Sequence, residues 1–171
     1  MIKKKYHLIT SSNELTWKFD RPVVFLGEWC RLFNKRHVWQ NMDAIVAKPY
    51  GLEGSKKDAD FIQVEKLKKK FFCKFYEILN NYHGIKHGER FWQIVVGHWF
   101  NSYVNLIFKK FNTLKLCLET YDISSYTCYT NKNYNLATLD YGSFIYALDD
   151  KRWNDFLTIR ILSLLSSKKF P

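Results

Sequence analysis

The sequence predicts an α/β fold: a Rossmann-like layered domain with a short, mostly parallel sheet and long helices. The first observation is an apolar run at residues 23–26, which follows Pro22 and ends at Gly27. A continuous apolar run is typical of a strand that is covered on both faces, as in parallel sheets. The second observation is that short strand-like segments alternate with long segments of helical periodicity, which is typical of layered α/β domains.

Four segments are predicted as strands, and each of them is short. Residues 5–10 and 44–47 are largely apolar stretches followed by polar or turn-forming residues. Residues 22–26 begin with a proline, which a strand tolerates in its first position. Residues 125–130 alternate between β-branched and aromatic side chains, as strands do. Residues 11–21, between the first two strands, are predicted to form a loop.

After the second strand, a short helix is predicted at residues 29–33. Its free backbone N–H groups would favour an anion. Four basic side chains lie in or after this segment: Arg31, Lys35, Arg36 and His37. A solvated basic helix face explains the same pattern, and the sequence leaves both interpretations open.

Two long helices are predicted next, at residues 58–82 and 89–110, with no strand between them. In the first helix, apolar residues recur at three- and four-residue steps and form one stripe, while lysines fill the outer side. Gly84 is predicted to end this helix. Gly97 lies inside the second helix, where glycine costs about 1 kcal/mol relative to alanine. We therefore expect a close approach at Gly97 by a neighbouring helix or by a ligand, and close helix packing is the simpler cause.

The remaining segments are predicted from local composition. Residues 51–60 are polar and are expected to form a linker before the first long helix. Residues 138–144 resemble a loop that leads into a helix. Residues 151–165 have apolar side chains on one side and are predicted as the last helix.

Length and composition limit the class of protein. The 171 residues suit a single domain over residues 1–171, and a hydrophobic fraction of 47% excludes a disordered chain. Neither a signal peptide nor a transmembrane run is recognisable. The sequence therefore predicts a cytoplasmic location, with which a peripheral position at the inner membrane is compatible.

The net charge of +11 suggests an anionic partner, but an AT-rich coding sequence yields the same lysine-rich composition with no functional cause. Lysine greatly outnumbers arginine in this chain, whereas base-specific recognition of nucleic acid relies on arginine. Nucleic acid is therefore a disfavoured partner. An anionic membrane surface remains compatible with the charge.

Metal binding is not expected from the sequence. The four cysteines follow no zinc or redox spacing and are expected to be reduced core residues. His83 and His87 are suitably spaced for two ligands, but Gly84 lies between them and no third ligand is near.

Glu28 is the best candidate for chemistry in the chain. It directly follows Gly27, which is expected to let the chain turn at the carboxyl end of the second strand. In open α/β sheets this end is where ligands bind. The alternative is that Glu28 caps the next helix or forms a salt bridge with it, and both interpretations remain open at this point.

Several segments together resemble a known family of bacterial transferases that is associated with lipopolysaccharide and O-antigen gene clusters. The resemblance extends over about residues 6–150. The segments that carry it are Thr16-Trp17, residues 22–30 (PVVFLGEWC), His37-Val38-Trp39, His83-Gly84 with His87, and residues 90–99 (RFWQIVVGHW).

The resemblance implies a two-domain glycosyltransferase of the B type (GT-B), with two Rossmann-like halves facing a cleft. This chain corresponds to the amino-terminal half, which in that architecture usually receives the acceptor. The carboxyl-terminal half, which holds the nucleotide-sugar donor, is expected to be absent from this chain, which would then be a truncated product or fragment or would rely on a second chain. We therefore expect no cofactor here, an acceptor that is a sugar or a lipid-linked glycan, and a partner domain or chain that supplies the donor site. Alone, the chain is expected to be incomplete as an enzyme.

The resemblance also implies roles for particular residues. Glu28 would act as the base that takes the proton from an acceptor hydroxyl, or would orient the acceptor. His87 and Arg90 would bind a phosphate or a sugar carboxylate, with a buried ion pair or a helix-start contact as the alternative. Tryptophans would stack on sugar rings, with core packing as the alternative. The full set of expected substrate-binding residues is Gly27, Trp29, Arg31, His87, Arg90, Trp92 and Trp99.

A second function remains compatible with the sequence. The chain would then be a non-catalytic basic module that binds an anionic membrane surface or a lipid-linked glycan through its lysines. Salt-sensitive binding to anionic lipid would favour this alternative.

Overall fold

The computed structural model describes residues 4–128 and 134–166. Four strands form the sheet: β1 (Tyr6–Ile9), β2 (Val23–Phe25), β3 (Ala44–Val46) and β4 (Ile123–Tyr126). Five α-helices accompany them: α1 (Arg36–Trp39), α2 (Gly54–His83), α3 (Glu89–Thr120), α4 (Tyr141–Asp149) and α5 (Lys151–Ser166). Three single turns of 3-10 helix lie at Glu14–Thr16, Glu28–Cys30 and Phe33–Lys35.

The sheet is parallel throughout, with the strand order β3-β2-β1-β4. Leu8 of β1 is aligned with Val24 of β2 on one side and with Tyr126 of β4 on the other. Val24 is in turn aligned with Ile45 of β3. These observations confirm the predicted α/β, Rossmann-like fold class with a parallel sheet.

Backbone contacts divide the chain into two compact units, which we describe separately. The sheet unit comprises Met1–Tyr50 and Lys110–Pro171, and the hairpin unit comprises Gly51–Lys109. Helix α3 begins in the hairpin unit and continues into the sheet unit. The single domain expected over residues 1–171 stays a prediction.

The core of the sheet unit is built on the fully apolar strand β2. Val23, Val24 and Phe25 are all completely buried. Burial of consecutive residues requires cover on both faces of the strand, because neighbouring side chains point to opposite faces. Other buried side chains of this unit come from β1, the end of α3, α4 and α5: Leu8, Ile9, Leu114, Cys117, Phe144, Trp153, Leu157, Ile161 and Leu162.

One buried polar side chain, His7, connects both strand β4 and the loop after β1 to the middle of the sheet. Its Nδ1 lies 2.9 Å from Ser125 Oγ. Its Nε2 lies 3.2 Å from Thr127 Oγ1 and 3.4 Å from the carbonyl oxygen of Thr16. The ring is only 2% exposed, and burial lowers the pKa of His7. At neutral pH the imidazole is therefore uncharged.

The hairpin unit consists of α2 and the first part of α3, packed antiparallel through aromatic rings. The ring centroids of Phe72 and Phe100 are 5.1 Å apart, and those of His83 and Trp92 are 5.9 Å apart. Gly84 ends α2 in the left-handed conformation, with φ 65°, and its N–H is directed at the carbonyl oxygens of Asn80 and Asn81. The predicted helix stop at Gly84 is thus confirmed.

The structure corrects several predicted boundaries. Residues 54–60 are helical, not part of a linker, so the first long helix begins four residues earlier than predicted. The second long helix continues to Thr120, past the predicted end at residue 110. Strand β4 begins at Ile123, and the predicted strand residues 129 and 130 lie outside the described part of the chain. The helix predicted at residues 29–33 is instead a 3-10 turn, Glu28–Cys30.

The close helix packing expected at Gly97 is also wrong. A Cβ atom at this position would meet a single neighbour, Gln93 Cβ, at 3.8 Å, which is an ordinary contact within the same helix. No neighbouring helix therefore requires glycine here.

In residues 4–128 and 134–166, none of the helices has an apolar stretch that is long enough to span a bilayer. Helix α3 is the longest at 32 residues. Polar side chains such as Gln93, His98 and Asn101 interrupt its apolar residues.

The lowered pKa of His7 predicts a decrease in stability on mild acidification. The unfolded chain binds the imidazole proton more readily, so the free energy of unfolding falls as the pH drops below 6.5, the usual value, towards the lowered folded-state pKa. The slope should reach at most about 1.4 kcal/mol per pH unit. Urea unfolding at pH 7.5 and at pH 5.5 measures this decrease in the free energy of unfolding.

The variant His7→Gln should show a smaller pH dependence, although its stability at pH 7.5 should fall by about 1–3 kcal/mol through lost hydrogen bonds. The exposed His37 provides the control, since His37→Gln should keep the wild-type pH dependence. Equal pH dependence in wild type and His7→Gln would contradict this account.

Candidate functional site

The strand order places the candidate site at the carboxyl ends of the strands. The chain runs from β1 outward through β2 to β3, and then returns to β4 on the other side of β1. In open parallel sheets, ligands bind at the carboxyl ends of the strands where the order reverses in this way. The described segments at this edge follow all four strands, β1, β2, β3 and β4. Residues 129–133, which come after β4, are outside the described part.

Glu28 lies at this edge, directly after β2. The N–H of Leu26 still donates to the carbonyl oxygen of Ile9, which extends the pairing of β1 and β2 by one bond. Gly27 then leads into the 3-10 turn that begins with Glu28. The Glu28 side chain is 72% exposed, so its carboxylate faces solvent and not the protein interior.

The carboxylate of Glu28 forms an ion pair with the guanidinium of Arg31. Arg31 Nη2 lies 2.6 Å from Oε2 and 2.7 Å from Oε1, and Nε lies 3.2 Å from Oε2. The salt-bridge alternative raised from the sequence is therefore present. An exposed pair of this kind contributes only about 0–1 kcal/mol to stability, so an acceptor hydroxyl or phosphate can compete for either partner.

Arg31 is itself held by an aromatic ring. Its guanidinium carbon lies 4.9 Å from the centroid of the Trp39 ring, in cation–π geometry. The Trp39 indole N–H donates to the carbonyl oxygen of Leu32 at 3.0 Å. The orientation of Arg31 is therefore fixed on one side by Trp39 and on the other by Glu28.

Gly27 is required by the side chain of Trp29, not by the turn. Its backbone is extended, with φ −175°, a conformation that any residue adopts. A Cβ atom at Gly27 would lie 2.1 Å from the nearest ring atom of Trp29, which is far too close. The indole therefore packs directly on the glycine backbone while remaining 57% exposed. An exposed, positioned aromatic face is what stacking on a sugar ring requires.

Lys35 joins the segments that follow β1 and β2. Its ammonium group lies 2.8 Å from Glu14 Oε1 and donates to the carbonyl oxygen of Ser12 at 3.1 Å. The sequence did not indicate Glu14 or Ser12 as site residues. The polar run of residues 10–13, directly after a strand, was the signal that could have found them, since the end of β1 borders the point of strand reversal.

Buried side chains of the sheet unit hold the segment after β1 in place. The Trp17 indole N–H donates to the carbonyl oxygen of Ser11 at 3.1 Å, and the Trp17 ring packs edge-on against Phe25 at 5.3 Å. Asp155 of α5 is buried and hydrogen-bonds to the Ser11 side chain, and burial raises the pKa of Asp155. The loop is therefore rigidly attached to the core.

The cysteines carry no evident chemistry at this edge. Cys30 is completely buried and donates to the carbonyl oxygen of Ile9 at 3.6 Å, and burial raises its pKa to about 12. Burial also raises the pKa of Cys117 to about 12. Both thiols are therefore protonated at neutral pH and poor nucleophiles. All four cysteines are free, but Cys73 is exposed, so the expectation of four core cysteines was wrong for that residue.

The other expected site residues belong to the hairpin unit. Trp92 is buried in its aromatic core, and its indole N–H donates to Asn80 Oδ1 at 2.8 Å. The backbone of His87 is held by the same Asn80 side chain, and its ring stacks on Phe91. Trp99 stacks on Phe75 and Tyr103. Core packing thus accounts for Trp92 and largely for Trp99, whereas Arg90 is exposed at the start of α3.

The structure therefore brings together four of the expected residues, Gly27, Glu28, Trp29 and Arg31, in the sheet unit. It also places His87 and Trp92 around one asparagine in the hairpin unit. Across the described ranges, no group of three or more histidine, cysteine or acidic side chains has the geometry to hold a metal ion.

Comparison with models of protein families identifies the family of this chain. A family model described as "LIC12162 family transferase" matches residues 6–171. The chain belongs to the LIC12162 family of transferases. The predicted relationship to a transferase family is thereby confirmed. Neither a curated protein nor a solved structure matches the chain.

The geometry of Gly27 in this LIC12162 family member leads to a test. Gly27→Ala should displace the Trp29 ring, because the new methyl group would occupy the position of the indole. Since the ring is largely exposed, the free energy of unfolding should change by less than about 1 kcal/mol. The indole N–H resonance of Trp29, assigned by its loss in Trp29→Phe, should shift in the ¹H–¹⁵N spectrum.

Gly54→Ala is the matched control, because a Cβ atom at Gly54 meets no atom within 4 Å. The Trp29 resonance should stay in place in this variant. An unchanged Trp29 resonance in Gly27→Ala would contradict the described packing.

Proposed function

We propose that this transferase-family chain is the acceptor-side domain of a glycosyltransferase of the GT-B type, acting in the synthesis of lipopolysaccharide, O-antigen or another surface polysaccharide. The observation that carries the proposal is the exposed carboxylate of Glu28 directly after β2, at the carboxyl edge of a parallel sheet. A sugar transfer requires a base near the acceptor hydroxyl, and a solvent-facing carboxylate at this edge is suitable in both position and chemistry.

In the proposed reaction, the acceptor hydroxyl donates a hydrogen bond to Glu28. As its oxygen forms a bond with the anomeric carbon of the donor, the proton passes to the Glu28 carboxylate. The bond between the anomeric carbon and the nucleotide phosphate breaks, and the nucleotide leaves with the electron pair. Glu28 is freed for this role when the acceptor displaces the weak ion pair with Arg31.

The neighbouring residues would bind and orient the acceptor. The exposed ring of Trp29, packed on Gly27, offers a face on which a sugar ring can stack. Arg31, released from Glu28, would bind a phosphate of a lipid-linked acceptor through its planar guanidinium. Trp39 would keep Arg31 beside the site during this exchange.

The nucleotide-sugar donor would be held by a second domain or chain. Residues 1–171 by themselves would then bind the acceptor without completing a transfer. A lipid-linked acceptor would place the enzyme in the cytoplasm, peripheral to the inner membrane.

The proposal is tested by Glu28→Gln in membrane extracts of cells that express the gene with its downstream reading frame. Removing a general base lowers the rate by about 10²–10⁴-fold, whereas the amide keeps the shape of the site. Transfer of labelled sugar from a panel of nucleotide sugars to lipid-linked acceptors should therefore fall by this factor, with a small change in the KM for the acceptor.

Asp43→Asn is the matched control for this experiment. Asp43 is also exposed and also ion-paired, with Lys4 at 2.8 Å, but it precedes β3 and so lies at the opposite edge of the sheet. The Asp43→Asn variant should transfer sugar at the wild-type rate. Wild-type transfer by Glu28→Gln would remove Glu28 from the mechanism.

A further inference from the structure

The aromatic core of the hairpin unit divides its surface into two flanks of different character. The core residues that face the opposite helix include Phe72 and Leu79 of α2 and Trp92 and Val96 of α3. In an antiparallel helix pair, the side chains one residue before each core position lie on the same flank of the pair in both helices. The side chains one residue after each core position lie on the opposite flank. The two flanks can therefore be compared residue by residue.

The flank before the core positions is apolar and exposed on α2. Phe71, Ile78 and Tyr82 are 47%, 62% and 83% exposed. Their spacing of seven and four residues places them on one face, and they extend along about 17 Å of the helix. Phe71 and Ile78 directly precede the core residues Phe72 and Leu79.

The same flank is apolar on α3. Phe91 and Val95 are 40% and 56% exposed, and they directly precede the core residues Trp92 and Val96. Their spacing of four residues again places them on one face. Five exposed apolar residues of the two helices thus share one side of the hairpin, which we call the apolar flank: Phe71, Ile78, Tyr82, Phe91 and Val95.

The opposite flank is a polar groove of about 360 Å³. On α3 it contains Gln93, Gly97 and Asn101, each of which follows a core residue by one position. On α2 it contains the ion pair of Lys68 with Glu65, at 2.6 Å. Five exposed apolar residues of the hairpin therefore share one side, whereas Phe61, Ile62 and Ile94 are exposed elsewhere on its helices.

A row of lysines runs along the outer face of α2 and reaches the apolar flank at Lys74. Lys66, Lys70 and Lys74 are exposed and spaced by four residues, and Lys74 lies one turn from both Phe71 and Ile78. Residues 66–74 contain five lysines and no carboxylate. Glu77 is the acidic residue that follows next on this outer side. The apolar flank thus combines aromatic and aliphatic side chains with a cationic border.

We propose that the apolar flank docks onto an anionic phospholipid bilayer. Exposed aromatic residues would enter the interface between headgroups and acyl chains, while the lysines would contact anionic headgroups. A second copy of the chain is a poorer occupant, because a symmetric interface would bring the two lysine rows towards each other. The inference rests on the surface of the hairpin unit and is independent of the role of Glu28.

The test is co-sedimentation of the protein with vesicles of phosphatidylcholine alone or mixed with phosphatidylglycerol. We expect binding to the mixed vesicles at low ionic strength. Binding should weaken strongly at about 1 M salt, where the Debye length is about 3 Å. Failure to bind the mixed vesicles at low salt would overturn the proposal.

Two variants test the contributions of the charged and the apolar residues separately. The triple change Lys66→Glu, Lys70→Glu and Lys74→Glu should weaken binding at least about 100-fold, since each lysine near an anionic surface contributes about fivefold. The double change Phe71→Ser and Ile78→Ser should weaken vesicle binding. The weak binding that remains should be electrostatic and should therefore disappear completely at high salt. All five positions are exposed, so the circular dichroism spectrum should stay that of the wild type.

The matched control for the charge change is Lys5→Glu, Lys18→Glu and Lys151→Glu, three exposed lysines of the sheet unit. This control should retain most of the binding. An equal loss in the control, or wild-type binding by the Phe71 and Ile78 variant, would overturn the proposal. So would a dimer in light scattering that the same two serine substitutions dissociate. Glu28→Gln should bind vesicles as the wild type does, which separates this test from that of the transferase mechanism.

Discussion

The parallel pairing of β1 with a neighbour on each side is the constraint on which the sheet unit depends. Leu8 is aligned with Val24 on one side and Tyr126 on the other, so β1 has no free edge along this pairing. Parallel neighbours require long connections, and the chain between β3 and β4 contains both α2 and α3. The whole hairpin unit is therefore an insertion within the crossover that brings β4 beside β1.

This pairing also determines which side chains meet at the carboxyl edge. The segments after β1 and β2 are joined there by Lys35, which contacts Ser12 and Glu14. The buried polar groups His7 and Asp155 have partners within the protein, and no buried side-chain nitrogen or oxygen of the described residues lacks a hydrogen-bond partner. The exposed groups at this edge are thus carried by a rigid base, which is the arrangement that positioning of a substrate requires.

The two units use aromatic residues differently. In the sheet unit, Trp29 lies on the surface against Gly27, where it is available to a ligand. In the hairpin unit, aromatic rings form most of the core, and further apolar residues such as Ile78 remain on one exposed flank. A chain of high aromatic content therefore carries two distinct candidate binding surfaces, one at the sheet edge and one on the helical hairpin.

The sequence by itself determined the fold class, the apolar strand at Val23–Phe25 and the helix stop at Gly84, because continuous burial, helical periodicity and left-handed glycine are local properties. It also indicated Glu28 as a carboxylate after a strand. Only the tertiary structure decided that this carboxylate pairs with Arg31, that Trp29 covers Gly27 and that β4 lies beside β1. These features depend on contacts between side chains and on pairing between distant segments, which local patterns do not encode.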